Sequence, residues 1–396
     1  MKKFLAIVLC LCLALSLAAC GGSSSSGSGK KTVTIGVFEP ASGDNGAGGK
    51  QETLGVQYAN SIQPTVEING ETYDVVVKYV DNESSNDKAS SAAAELVNAG
   101  CSIVLGSYGS GVSIAGGPTF ENAGIPVVGI TCTNPAVTEG NSYYFRICFL
   151  DPFQGTVLAN YAFNKLGVTK AYCLNKLGDD YSGGLVNYFI EAFEKLGGEC
   201  VHEEFPDGNS DFTSYVANAK AAGCGVFFSP VSTEAAQLII DQAVAQGVTF
   251  PLLAGDTWEN SAILNAAKGK DIKVYCSTFF DENDDAAAAA EFVTGFKAWL
   301  NADSGKLTNN GSNDIVAAVS ALGFDAYNVA LTAIEAAGSA DPAAIAEALP
   351  GVTYDGVTGT IAFDENGDAK KDMAYIKFAN PETGAFDFVK TQSVGE

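Results

Sequence analysis

Basic side chains are scarce in this sequence. Its 396 residues include one arginine, Arg146, and one histidine, His202. Their scarcity removes most catalytic designs that need an imidazole base or a guanidinium clamp. A formal net charge of −24 argues against a nucleic-acid partner, whose phosphates call for Lys and Arg. The acidity reads as a solubilising surface. No CxxC pair occurs, so zinc and dithiol chemistry are not expected. What is abundant is apolar, at 47% of residues, together with 44 glycines, as in a well-buried α/β protein. The length implies two domains.

Of ten cysteines, Cys10, Cys12 and Cys20 lie in the amino-terminal segment. Cys101, Cys132, Cys148, Cys173, Cys200, Cys224 and Cys276 are single and widely spaced, mostly beside apolar strands. They are expected to pack as buried thiols, with one or two disulfides left open. Met1-Lys-Lys followed by the apolar run Phe4–Leu17 has the form of a secretory signal and is short for a membrane span. Leu17-Ala-Ala-Cys20 resembles the bacterial lipobox, which makes Cys20 the expected lipidation site and membrane attachment. GGSSSSGSG (21–29) then reads as a flexible tether.

From Thr32 onward strands alternate with helices. A strand is expected at Val33–Phe38, a glycine-rich loop at 39–49, a helix at 51–61, a strand at 73–80 and a helix at 88–99. After Phe149 a second alternating series begins, through strands near 171, 199, 226, 251 and 272 and the helices between them. Helices follow at 285–301, 315–337 and 343–349, and the carboxyl-terminal stretch reads as strands with turns at Asn366-Gly367 and 380–384. Two such series predict two doubly wound lobes, each built on its own parallel sheet.

The chain is organised around residues 103–135. A short apolar strand (Ile103–Leu105) enters the turn GSYGSG (106–111), a helical segment follows, and a second buried strand ends at Thr131-Cys-Thr-Asn-Pro135. Both turns lie at carboxyl ends of parallel strands, where free helix N–H groups suit a small anion. Ser110, Ser113 and Thr133 add hydroxyl donors and no general base is near, so the stretch predicts a carboxylate-binding site without catalysis.

Competing motifs fit poorly. GSYGSG has Ile114 where a dinucleotide fingerprint needs its third glycine, and GDNGAGGKQ (43–51) lacks the first Gly and the Ser/Thr of a P-loop. Asp281, Asn283 and Asp285 start like a calcium loop, but Ala286 and Phe292 occupy its Gly and Glu positions. No metal or cofactor is expected. His202, followed by Glu203 and Glu204, reads as a solvated surface group. Tyr181 and Trp258 stand in loops at strand ends, either capping the core or walling a ligand. Asp256, beside Trp258, is either a helix cap or the partner of a cation.

The segments VTIGVFEPASG, GSYGSG, ENAGIPVVGITCTNPAVT, YYFRICFLDPFQG, DDYSGGL and LAGDTWE, in that order, resemble the branched-chain amino-acid (Leu/Ile/Val) type solute-binding proteins of ABC transporters. The resemblance covers 32–396. It implies a type I periplasmic-binding fold with a multi-strand hinge, lobe 1 being 32–148 and 279–352 and lobe 2 being 149–278 and 353–396. Residues 1–19 would be the signal peptide and 20–31 the lipidated Cys and tether. It also implies that Ser110 and Thr133 hold the ligand carboxylate, that Thr131 and Cys132 lend backbone groups, that Tyr181 covers the ligand, and that Asp256 meets the α-ammonium. The chain departs from the family at Gly48 and Ser232, where aromatic residues are usual, so a widened pocket is expected, with Trp258 supplying aromatic surface.

The expected function is a lipid-tethered, extracytoplasmic, monomeric receptor. It captures an amino acid, branched-chain or bulkier, by closure of the lobes and delivers it to a membrane permease. The alternatives are a receptor for urea, short amides or another small carboxylate, a sensory module, and last a nucleotide-dependent oxidoreductase.

Overall fold

The structure, a computed structural model, describes residues 31–393. The expected signal sequence, Cys20 and the tether lie outside the described residues but for Lys31. Among the described residues no helix is long and apolar enough to cross a membrane.

The first sheet is laid down by β1 (Thr32–Glu39), α1 (Gly46–Ile62), β2 (Thr65–Ile68), β3 (Glu71–Asp81), α2 (Asn86–Asn98), β4 (Ile103–Leu105), α3 (Ser110–Ala123), β5 (Val127–Gly129) and β6 (Tyr144–Arg146). Its strand order is β2-β3-β1-β4-β5-β6. Only β2 runs antiparallel, folded onto β3 by the turn Asn69-Gly70, where both residues have positive φ. The parallel strands carry helices on both faces, so β4 and β5 are buried throughout and read as unbroken apolar runs.

The chain then crosses over and builds α4 (Asp151–Asn160), β7 (Lys170–Lys176), α5 (Asp180–Lys195), β8 (Glu199–Phe205), α6 (Thr213–Ala221), β9 (Val226–Phe228), α7 (Thr233–Ala245), β10 (Leu252–Ala254), α8 (Ser261–Ala267) and β11 (Val274–Thr278). It crosses back into α9 (Ala287–Asn301), α10 (Ser304–Asn309), α11 (Ala318–Ala337) and α12 (Pro342–Ala348). There Tyr58 of α1 packs against Phe292, Phe296 and Trp299 of α9 and Phe324 of α11. The hairpin β12 (Thr353–Gly356) and β13 (Gly359–Ala362) follows. A third crossing delivers β14 (Ala374–Asn380) and β15 (Ala385–Gln392), completing a second sheet of order β15-β14-β11-β10-β9-β7-β8. Two parallel-sheet α/β halves joined by three passages of chain are the expected fold class.

Two features differ from expectation. Helix α1 begins at Gly46, within the stretch expected as loop. Glycines of α1 and α11 serve close packing: a Cβ on Gly55 would lie 1.9 Å from the Ser320 carbonyl oxygen, and one on Gly323 would lie 2.3 Å from that of Glu52. Interior glycine costs a helix about 1 kcal/mol relative to alanine, and here it is what allows α1 and α11 to approach. Residues 353–369, assigned from sequence to the second lobe, lie against the first half. Asp325 of α11 accepts the N–H groups of Val357 and Thr358, and Phe363 packs edge-on against Phe145.

Candidate functional site

Strand ends from both sheets meet in a cleft. On the first side β1 ends in Glu39, β4 runs into the turn carrying Tyr108 and Ser110, and β5 runs into Ile130–Pro135. On the second side β10 leads to Asp256 and Thr257, and α5 opens with Tyr181. The Asp179 side chain caps α5 by accepting the Ser182 N–H at 2.8 Å, which fixes Tyr181 in the first turn.

The cleft is closed. Asn134 Nδ2 donates to the Asp180 carbonyl at 2.7 Å, Asn260 Nδ2 to Gln51 Oε1 at 2.7 Å, and the Tyr108 hydroxyl to the Thr257 carbonyl at 3.4 Å. A residual cavity of about 60 Å³ remains, lined by Ser110, Tyr108, Tyr181, Ser232 and Thr257 among others. Ser110 and Tyr181, from opposite halves, therefore face one space.

Asp256 lies one hydrogen bond behind it. Its Oδ1 accepts from the Tyr181 hydroxyl at 2.9 Å and from Gln154 Nε2 at 2.8 Å. Gln154 also donates to Ser277 Oγ at 2.9 Å, which fixes its amide. Burial pushes the Asp256 carboxyl up to about 6, with the Gln154 and Tyr181 hydrogen bonds opposing. The chain's buried cations are engaged elsewhere. Lys377 Nζ pairs with Glu259 Oε1 at 2.9 Å, and Arg146 pairs with Asp368.

On the first side Ser110 Oγ accepts the Asn134 N–H at 3.2 Å, joining the two expected anion-binding turns. The Thr133 hydroxyl is fully buried and has no partner among the described residues. Beside it stands Asp151, whose N–H donates to the Thr133 carbonyl and whose buried carboxyl is near enough to the Thr133 hydroxyl for that group to oppose the rise in its pKa. Burial holds the Asp151 carboxyl well above its usual range. The Thr131 hydroxyl donates to Glu52 Oε2 at 2.6 Å. Cys132 presents its carbonyl to Arg146 Nη1 at 2.9 Å, and burial pushes its thiol up to about 11, far from a nucleophilic thiolate. Arg146 reaches the Asn134 and Pro135 carbonyls as well, so one guanidinium holds the whole 132–135 turn.

Three expectations need correction. Trp258 does not wall the cleft. It is fully buried in the core of the second half, with its indole N–H donating to the Val231 carbonyl at 3.1 Å, and its neighbour Thr257 faces the cavity instead. Gly48 does not widen the pocket, because a Cβ there would lie 2.4 Å from the Tyr108 ring, which fills that space. Ser113 turns into its own helix and donates to the Gly109 carbonyl at 2.9 Å. Ser232 caps α7 at the cavity mouth. Exposed His202 bonds Asn175 Oδ1 at 2.6 Å. The seven described cysteines are free, and six of them are buried.

The sequence reading passed over Glu39, Glu52, Tyr108, Asp151, Gln154 and Thr257. The signals were a glutamate ending a buried strand and the DPFQG run after β6. Together these residues make a buried cleft with hydroxyl and helix N–H donors on one wall and a hydrogen-bonded carboxyl on the other. Such an arrangement can hold a small zwitterion.

The family model for periplasmic binding proteins matches residues 32–382. A Leu/Ile/Val-binding protein homologue of Brucella abortus is 28% identical over 363 residues, covering 90% of this chain and 93% of its own. The crystal structure of a leucine-binding protein, LivK, from Thermotoga maritima superposes with a TM-score of 0.81 at 30% identity, over 91% of this chain and 99% of that one. That of the branched-chain amino-acid transporter substrate-binding protein LivJ from Streptococcus pneumoniae, in complex with isoleucine, gives 0.79 at 25% identity, over 92% and 99%. The chain belongs to the periplasmic binding protein family.

Proposed function

We propose that this protein is the extracytoplasmic receptor of an ABC importer, tethered through a lipidated Cys20, and that it captures an amino acid in the cleft and passes it to a membrane permease. The lobes are 32–148 with 279–352, and 149–278 with 353–396, the 353–369 hairpin region riding on the first. The ligand carboxylate sits on the helix N-terminus at Ser110 and on the Thr133 hydroxyl, with Thr131 and Cys132 shaping the turn. Its ammonium meets Asp256, and Tyr181 closes over it. The observation that carries this reading is Asp256 itself, a buried carboxylate held by two neutral donors with no cation beside it among the described residues. A buried charge without a partner is costly, and a ligand ammonium supplies the partner. The similarity to a Leu/Ile/Val-binding protein homologue and to LivJ in complex with isoleucine supports it.

The protein binds its ligand and carries out no reaction on it. Isothermal titration with the common amino acids, alongside urea, acetamide and benzoate, tests this. At least one α-amino acid should bind, and Asp256→Asn should weaken it by about 100-fold or more, as expected for a buried charge losing its partner. Binding of urea or benzoate alone, or unchanged affinity in Asp256→Asn, would reject it. Transfer of a fatty acyl label to the wild-type chain but not to Cys20→Ser tests the anchor.

A further inference from the structure

Helix α7 of the second half owes part of its N-terminus to the first half. The N–H groups of Thr233, Glu234 and Ala235 have no acceptor within the helix, and the Ala236 N–H is the first to close on its own chain, at the Ser232 carbonyl. Ser232 Oγ accepts the Ala235 N–H at 3.4 Å. The other two cross the cleft. The Thr233 N–H donates to Asn45 Oδ1 at 3.4 Å and the Glu234 N–H to the Asp44 carbonyl at 3.3 Å. Asn45 stands at the N-cap of its own helix, α1, yet its side chain makes no capping bond there. It caps the helix opposite instead.

The same loop brings a charge to the seam. Asp44 Oδ2 accepts from Lys176 Nζ at 3.2 Å, and Lys176, at the end of β7, also pairs with Asp207 of its own half. Asp207 orders the ammonium before the halves meet, which lowers the side-chain entropy lost when Asp44 arrives. The loop is set by the first half alone. Asp81 accepts the Ala41 N–H at 2.8 Å and the Ser42 hydroxyl at 2.7 Å, and Ser84 Oγ accepts the Asn45 N–H at 3.1 Å. Asp44, Asn45, Lys176 and Ser232 all line the residual cavity. The groups that join the halves thus stand around the same space as Ser110 and Tyr181.

We propose that Asp44 and Asn45 are positioning residues that latch the closed cleft, and that they set how long a bound amino acid stays and not how fast it enters. This rests on the receptor reading above and adds to it. Opening hands two helix N–H groups and one ammonium contact back to water, so each bond raises the barrier against release. An amino acid entering an open cleft meets none of them, since the latch forms only when the halves come together. An amide oxygen and a carboxylate are also what a helix start favours.

Capture and release of a radiolabelled mixture of the common amino acids, followed by rapid filtration of the purified protein freed of bound ligand, tests it. Asn45→Ala should speed release about fivefold and Asp44→Asn about twofold to fivefold, each leaving the capture rate within about twofold of wild type. Asn45→Asp keeps an acceptor at the cap and should release at the wild-type pace. Should Asn45→Ala fail to give a cooperative melt, Asp44→Asn decides. Release at the wild-type pace in either folded variant overturns this inference and leaves the receptor standing. So does a variant whose capture slows as much as its release quickens, and so does Asn45→Asp releasing as fast as Asn45→Ala. Retention of no label by the wild type overturns the receptor reading and this one with it.

Discussion

The guanidinium of Arg146 pairs with Asp368, brought from 222 residues further along the chain, while its other nitrogens hold the 132–135 turn. The bond ties the carboxyl-terminal segment to the wall of the cleft. The backbone agrees, because the Arg146 N–H donates to the Gly367 carbonyl at 2.9 Å and the Ala369 N–H to the Arg146 carbonyl at 3.0 Å.

Removing one member of that pair leaves a buried charge alone. Asp368→Ala should lower unfolding free energy by about 3–5 kcal/mol, measured by urea denaturation. Arg146→Lys keeps the charge but loses the planar fork that spans several carbonyls, so it should weaken ligand binding more than it weakens the fold. Equal loss of both would contradict the role given to the turn.

Asp256 links affinity to pH. Burial pushes its carboxyl up to about 6, and only the ionised form can hold an ammonium. Affinity should be flat near neutral pH and fall below 6, approaching about tenfold per unit. Calorimetry from pH 7.5 to pH 5 checks this, and Asp256→Asn should abolish the slope along with most of the affinity.

Stability of the empty protein should move the other way. Glu39, Glu52, Asp151 and Asp256 are all raised by burial, so the folded chain holds their protons more firmly than the unfolded chain does. Their contribution is complete below the ordinary carboxyl range and is lost as pH rises through the raised folded values. The thermal midpoint should therefore climb as pH falls from 8 toward 5, and Glu52→Gln should flatten the climb. A midpoint that drops steadily over that range would show that the carboxyls are not held as the geometry implies.

The contact of α1 with α11 makes a fourth test. Gly323→Ala places a Cβ 2.3 Å from the Glu52 carbonyl oxygen, and overpacking of this kind costs about 1–3 kcal/mol. Because Glu52 is the residue displaced, ligand affinity should fall with stability. Trp258→Phe is the contrast. It removes a buried hydrogen bond worth about 1 kcal/mol and, because the indole faces the core and not the cavity, should cost stability more than affinity.

The alternation of strand and helix was legible because each parallel strand is short, apolar and buried on both faces, as in β4 and β5. Glycine misled in one place and was overlooked in another. The run at 46–49 reads as loop by composition yet is the packing face of α1, while Asn69-Gly70, a plain hairpin signal, marked β2 and went unused. The turns at 106–111 and 131–135 and the line of Tyr181 and Asp256 could be placed at the cleft because they follow predicted strand ends. Side-chain direction could not. Thr257 and Trp258 are adjacent, and nothing local says that the first faces the cleft and the second the core. Nor does a glutamate thirteen positions from another announce that the two carboxyls meet in the interior, since Glu52 on a helix reads by default as solvent-facing.

That Arg146 is the chain's single arginine gives it a use beyond structure. Feeding isotopically enriched arginine to the expression host would place one labelled Nε–H in the whole protein, directly behind the 132–135 turn of the cleft wall. Its resonance would sit alone in the spectrum and register occupancy and solvent exchange at that spot without assignment of any other signal.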